Sequence, residues 1–171
     1  MRTIRIKLYK FSELSESAKQ KAIENLSDIN VDYNWWTSTY EDAENIGLKI
    51  TSFELDRNRH AKGDFLLSAN EVAQNIFSNH GHECETYTTA EKFMKEWEPI
   101  FINYMDEEHE MYESKESEEQ LQEIENEFLI SLLEDYSIML QNEFEYLQEE
   151  EAIIETIEAN EYEFTITGER F

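Results

Sequence analysis

His80, His82 and Cys84 stand within one five-residue segment, and imidazole and thiolate are the natural ligands of zinc. A structural zinc site takes a second ligand pair, and no CxxC or HxxxH occurs elsewhere; the other histidines, His60 and His109, are isolated. The segment therefore reads as a polar loop between helices, and no metal site is assigned. Carboxylates could serve acid/base chemistry, but among 40 Asp and Glu some pairs fall at glycosidase spacing by chance. No GxxxxGK[ST], GxGxxG or G-x-S-x-G motif is present, and Asp106-Glu-Glu-His-Glu lacks the EF-hand order. The expectation is a protein without catalytic residues or cofactor, acting by binding.

The layout of charge gives that expectation a direction. The net charge is −26, yet residues 1–67 carry ten Lys/Arg against eleven Asp/Glu, whereas residues 68–171 carry four against 29. Within 106–151 a single base, Lys115, faces eighteen acids. Exposed helices ordinarily intersperse the two signs and gain i,i+4 pairs, so a one-sign face carries repulsion. It can be a solubilising coat, or it can meet a basic partner such as a nuclease or a DNA- or RNA-binding complex. The candidate partner-binding residues are Glu107, Glu108, Glu116, Glu118, Glu119, Glu123, Glu127, Glu134 and Glu145, which interrupt the apolar positions of the helix pattern. Should the acids be only a coat, the aromatic group Tyr33, Trp35, Trp36 and Tyr40 is the next place to look for a site. Aromatic residues at a helix entrance read first as core and staple contacts.

Other partners are set aside by the same charge. The strip Arg2, Arg5, Lys7, Lys10 is too small for direct nucleic-acid binding beside so many acids. No run of about 18 apolar residues could span a bilayer, and an anionic leaflet would repel the chain. The opening MRTIRIKLYKF has no apolar h-region, and the one cysteine makes no internal disulfide, so the expected compartment is the cytosol.

The elements that must position these residues follow from periodicity and caps. Thr3–Phe11 alternates as a strand with Ile4, Ile6 and Leu8 inward. Ser15 caps a helix to about Leu26; Ser38-Thr-Tyr-Glu41 has capping-box spacing for a short helix stopped by Gly47. Leu48–Asp56, with a phase slip at Thr51-Ser52, turns through Asn58–Gly63 into a return strand at Asp64–Leu67. Ser68-Ala-Asn-Glu71 and Thr88-Thr-Ala-Glu91 open two further helices, the second carrying Pro99 and an expected kink or break. Ser117-Glu-Glu-Gln120 opens the longest helix. One of its stripes is Leu121, Ile124, Phe128, Leu132, Tyr136, Met139; the other is Leu129, Leu133, Leu140, Phe144, Leu147. A helix at Ala152–Ala159 and a strand at Tyr162–Ile166 complete the chain. The predicted fold is α+β in a single domain, 1–171: a small antiparallel sheet of three or four strands with helices packed on one face. The strand- and hairpin-rich part, 1–67, is near neutral, and 68–171 is mostly helical and acidic.

The segment Ile6-Lys-Leu-Tyr-Lys-Phe-Ser-Glu-Leu-Ser-Glu-Ser-Ala-Lys-Gln-Lys-Ala22 resembles an uncharacterised family of bacteriophages and mobile elements in Bacteroides-type genomes, in which a strand leads into a "YKFxELSxxAKxKA" helix. Residues 131–140 and 149–164 are similar to the same proteins, some of which carry an antitoxin label. The resemblance lends no catalytic residues. It implies a phage-borne inhibitor or accessory protein in a bacterial host cell, such as a nucleic-acid mimic of the anti-defence or anti-CRISPR kind. Two alternatives stand beside it: an antitoxin-like neutraliser of a basic toxin, and a small metal-dependent enzyme using His80, His82 and Cys84.

Overall fold

A computed structural model of the chain describes residues 6–106 and 114–171. The expectations placed on Ile4, Glu107, Glu108 and His109 lie outside them. In chain order the described elements are β1 (Tyr9–Lys10), α1 (Glu16–Asn25), α2 (Thr37–Ile46), β2 (Leu48–Glu54), β3 (His60–Phe65), α3 (Ala69–Asn79), α4 (Glu85–Asp106), α5 (Ser114–Leu147), α6 (Glu150–Ala159) and β4 (Glu163–Phe164). The class is α+β, as the periodicities imply. The strands do not form one sheet of three or four: β1 pairs with β4, and β2 with β3, both antiparallel. Contacts gather the chain into two compact units, Trp36–Gln141, and Met1–Trp35 with Asn142–Phe171.

In the terminal unit, Ser15 caps α1 by accepting the Ala18 amide at 3.4 Å, and Ala18, Ala22 and Ile23 face inward. They pack with Phe11, Leu14, Ile153, Ile157 and Phe164. The C-terminal strand does return to the N-terminal one, with Tyr9 opposite Phe164, but each strand has only two residues. β1 stops at Lys10, where the Glu13 carboxylate accepts the Lys10 amide at 2.8 Å and the chain enters a 3-10 turn at Phe11–Glu13. Ile6, expected inside, is exposed. β4 ends early because the backbone amide of Thr165 donates to the Glu169 carbonyl at 2.8 Å, making a turn that leaves Ile166 70% exposed. The buried Asn30 satisfies both ends of its amide, donating to the Leu147 carbonyl at 3.0 Å and accepting from Thr156 at 2.6 Å.

In the central unit, α2 starts at Thr37 behind Trp36, so Ser38 lies inside the helix and its capping box does not define the start. Gly47, at φ 92°, ends it in the left-handed conformation that a side chain disfavours. β2 buries Leu48 and Ile50 and bulges between Ile50 and Ser52, at the phase slip. Gly63 lies opposite Ile50, and a Cβ there would come 2.2 Å from the Lys49 carbonyl, so β3 fits only with glycine. The return strand runs over His60–Phe65 rather than Asp64–Leu67, and Leu66 and Leu67 are exposed beyond it.

The capping box of α3 forms in both directions: Ser68 Oγ accepts the Glu71 amide at 3.4 Å, and Glu71 accepts the Ser68 amide at 3.0 Å. α4 begins three residues before Thr88, where the Cys84 carbonyl accepts the Tyr87 amide at 3.1 Å. It continues without a break through Pro99, with Trp97 and Phe101 stacked at 4.3 Å on either side of it in sequence. α5 is already helical at Ser114, before Ser117. Phe93 stacks on Phe128 at 4.1 Å, and Phe65 meets Phe128 at 5.6 Å, so one aromatic row ties α4 and β3 to α5.

Replacing Gly63 with Ala is expected to destabilise the protein by about 1–3 kcal/mol in urea unfolding. Gly81→Ala, where nothing lies within 4 Å of the new Cβ, is the matched control and should change little.

Candidate partner-binding face

From Glu116 to Glu169 the chain contains no lysine, arginine or histidine. On α5 this one-sign sequence falls into a strict pattern. At 3.6 residues per turn, Glu116, Glu119, Glu123, Glu127 and Glu134 share an arc of about 80°. Leu121, Phe128, Leu132 and Tyr136 occupy the opposite side and are buried. All five acids are exposed. The row from Glu116 to Glu134 extends about 27 Å at 1.5 Å per residue.

The other named acids do not all join this row. Glu134 lies in it but is neutralised by Arg59, whose Nη2 is 2.6 Å from its Oε1. Glu118 falls on the side of the apolar stripe, exposed near the start of the helix. Glu145, also exposed, belongs to the terminal unit. Among the described residues no ion pair reaches Glu116, Glu119, Glu123 or Glu127. Within the stripes, Met139 departs from the expected burial, at 39% exposed, and Ile130 stands in the acidic arc at 67%. A cleft of about 50 Å³ between α4 and α5, lined by Lys92, Phe93, Glu127 and Phe128, leaves room for little more than water.

The histidine segment is used differently from a metal site. His80 turns inward, its Nδ1 2.7 Å from Thr86 Oγ1 and its Nε2 3.5 Å from Asp42 Oδ2. The same Asp42 oxygen accepts the Tyr136 hydroxyl at 2.8 Å. His82 packs its ring on Tyr87 at 4.3 Å, and Cys84 is exposed, so the three residues of the metal-dependent alternative engage separate surroundings. Among the described residues no group of three or more His, Cys, Asp or Glu could hold a metal ion. Thr86, His80 and Asp42 line up as hydroxyl, imidazole and carboxylate, but Thr86 is 2% exposed, and a nucleophile so covered reaches no substrate. The cluster was not legible as a unit in the sequence, because its members come from α2, the end of α3, α4 and α5.

The His80 imidazole 3.5 Å away, then the hydrogen bond from Tyr136, holds the Asp42 carboxyl below the usual range despite burial. Burial raises Tyr136, assisted by the negative charge of Asp42. Asp135 moves the other way from Asp42: burial pushes it up, the Thr89 hydroxyl at 2.7 Å opposes the shift, and Glu85 and Glu134 add to it.

The aromatic group divides between the two units. Trp35 is buried against Phe144 at 5.5 Å, whereas Trp36 and Tyr40 meet Phe53 edge-on at 5.4 and 6.2 Å. Of the basic strip, Lys7 sits over the Tyr9 ring and Lys10 pairs with Glu161, while Arg2 and Arg5 lie outside the described residues. Among the described residues no helix is long and apolar enough to cross a membrane. Compared with protein-family models, with curated proteins and with solved structures, the chain matches none.

The two aspartates predict opposite pH behaviour. Asp42 has a depressed folded pKa, so its stabilisation is present above the unfolded pKa and is lost as pH falls through the folded one. Asp42→Asn should lower stability at neutral pH by about 1 kcal/mol, a figure discounted for partial exposure of the carboxylate, and the deficit should vanish in acid. Asp135, with its folded pKa raised, favours folding below its unfolded pKa and loses that contribution as pH rises. Asp135→Asn should therefore raise stability at neutral pH. Urea titrations between acid and neutral pH check both signs.

Proposed function

We propose that this protein is an acidic protein-binding module that lays the outward carboxylates of α5 against a basic groove. In this reading it serves a phage or mobile element by inhibiting a nuclease or nucleic-acid-binding complex of its bacterial host. The supporting observation is the row Glu116, Glu119, Glu123, Glu127, exposed and without an ion pair among the described residues, on a helix without bases from Glu116 onward. Like-charge i,i+3 and i,i+4 neighbours each disfavour the helix by about 0.2–0.5 kcal/mol. Three such pairs make roughly 1 kcal/mol of repulsion that a basic partner would turn into attraction. Successive acids rise about 4.5–6 Å along the helix axis, against about 3.4 Å per phosphate on one strand of DNA. The row thus offers a sparser line of charge than a nucleic-acid strand, suited to a groove whose cations are flexible lysines and arginines.

Charge exchange along the row tests this reading. Glu119→Lys with Glu127→Lys converts both i,i+4 repulsions around Glu123 into attractions, at the cost of one new i,i+4 repulsion with Lys115, and should raise stability by about 0.5 kcal/mol. The same double variant should weaken capture of the basic partner from host lysate at least tenfold at low salt, because such charges act together on encounter and register. Wild-type capture should fall steeply as salt rises. A double variant that folds, gains stability and keeps full capture would make the row a solubilising coat.

A further inference from the structure

The end of α6 holds the one residue other than glycine with positive φ among the described residues, Glu161 at 51°. The geometry there is a Schellman stop. The Tyr162 amide donates to the Ile157 carbonyl at 3.2 Å, and the Glu161 amide to the Glu158 carbonyl at 3.0 Å, with Glu161 at the position that normally holds glycine. A side chain in the left-handed conformation is disfavoured, and an exposed ion pair seldom offsets that. Glu161 makes such a pair, with Lys10 at 3.1 Å, its own side chain 76% exposed.

Glu161 is one of the residues that line a recess of about 140 Å³, with Lys10, Phe11, Ser12, Ile157, Glu158 and Tyr162. Of these, Phe11 and Ile157 are buried and apolar, and the two acids, Glu158 and Glu161, are exposed. The space holds several water-sized groups, enough for an aliphatic stem with a cationic head. Two of the chain's own cations already meet residues that line it. Lys10 binds the Glu161 carboxylate, and the Arg170 guanidinium lies 3.8 Å from the centroid of the Tyr162 ring.

We infer that this recess seats one cationic side chain, an arginine or lysine of the protein partner, with its stem on Phe11 and Ile157 and its head between Glu158 and Glu161. Lys10 is then an internal competitor that occupies Glu161 until the guest arrives. The inference rests on the reading above only for the basic nature of the partner. The recess belongs to the terminal unit alone.

The test uses the full chain and small probes. Nα-acetyl-arginine amide and Nα-acetyl-lysine amide are titrated against the ¹⁵N-labelled protein, following the amides of Phe11, Ser12, Glu161 and Tyr162. The neutral isostere Nα-acetyl-citrulline amide is the control. At least one cationic probe should shift those four amides saturably, the stronger one naming the head group, and citrulline should not. Lys10→Met should tighten the cationic probe about two- to fivefold by removing the competitor. Glu161→Gln, which keeps shape and strain, should weaken it about fivefold or more. Glu161→Gly should raise the unfolding midpoint while weakening the probe, separating fold from binding. Equal binding of citrulline, unchanged affinity in both the Lys10 and the glutamine variants, or no saturable shift with either cation overturns the inference. That failure leaves the carboxylate row standing, since partner capture by the Glu119/Glu127 variant is measured separately.

Discussion

Burial of one side of α5 is the condition under which its other side can carry a row of charges of one sign. Between Glu116 and Leu147 the helix has no base, so no ion pair can form among those residues, and like charges repel along Glu116–Glu127. Against that stand Phe128, Leu132 and Tyr136, all buried. Each contributes about 1.5–3 kcal/mol on removal from water, several times the repulsion of any one acidic pair. The aromatic stack of Phe93 on Phe128 and the contact of Phe65 with Phe128 extend this burial to α4 and β3. The helix therefore exists as a packed element first, and its charged row is presented on a support that the charges did not create.

Apolar burial alone would leave the rotation of α5 loosely specified, since neighbouring stripes offer alternative faces. Tyr136 removes that freedom. Its ring is fully buried, and its hydroxyl has to find a partner in the interior, which it does at Asp42 on α2. Asp42 also faces His80 at the end of α3, and His80 in turn meets Thr86 in the first turn of α4. A slip of α5 by one residue would leave a buried phenol and a carboxylate without this bond, a penalty of about 1–3 kcal/mol for each unsatisfied group. The polar cluster thus sets the phase of the helix, and the phase decides that Glu119, Glu123 and Glu127 point outward.

The parts of this arrangement that could be read from sequence are those whose two halves are close in the chain. Ser15, Ser68 and Gly47 mark helix ends because cap and capped group lie within a few residues. The bulge at Ile50–Ser52 was visible as a break in alternation. The acids of the row were among those named for interrupting the apolar stripes, but Glu118 and Glu145, named on the same ground, fall elsewhere. Ser38 and Ser117 have the same capping spacing as Ser68, yet their helices begin earlier. For α2 the entry is set beside Trp36, whose ring packs on Phe53 of β2, a contact no local pattern announces. The strand lengths failed for a related reason. Thr3–Phe11 alternates convincingly, but its partner offers only Glu163 and Phe164 before turning away, and a strand is only as long as the chain it pairs with. Asp42, His80, Thr86 and Tyr136 span 95 positions, so only the fold could bring them together.

The charge asymmetry along the sequence also changes meaning once the contacts are known. Lys10 pairs with Glu161, Lys21 with Glu169 and Arg59 with Glu134, so each of these bases from the near-neutral segment reaches an acid from the later one. Part of the imbalance is thereby a division of labour within the fold. That explanation is limited in size. These pairs are largely exposed, and an exposed pair contributes about 0–1 kcal/mol. Three of them account for three of the 29 acids after residue 67. Both units remain acidic by themselves, with seven bases against twenty-five acids in Trp36–Gln141 and seven against fifteen in the rest. Folding therefore pairs a few of the bases with later acids and leaves a large surplus of carboxylates in each unit.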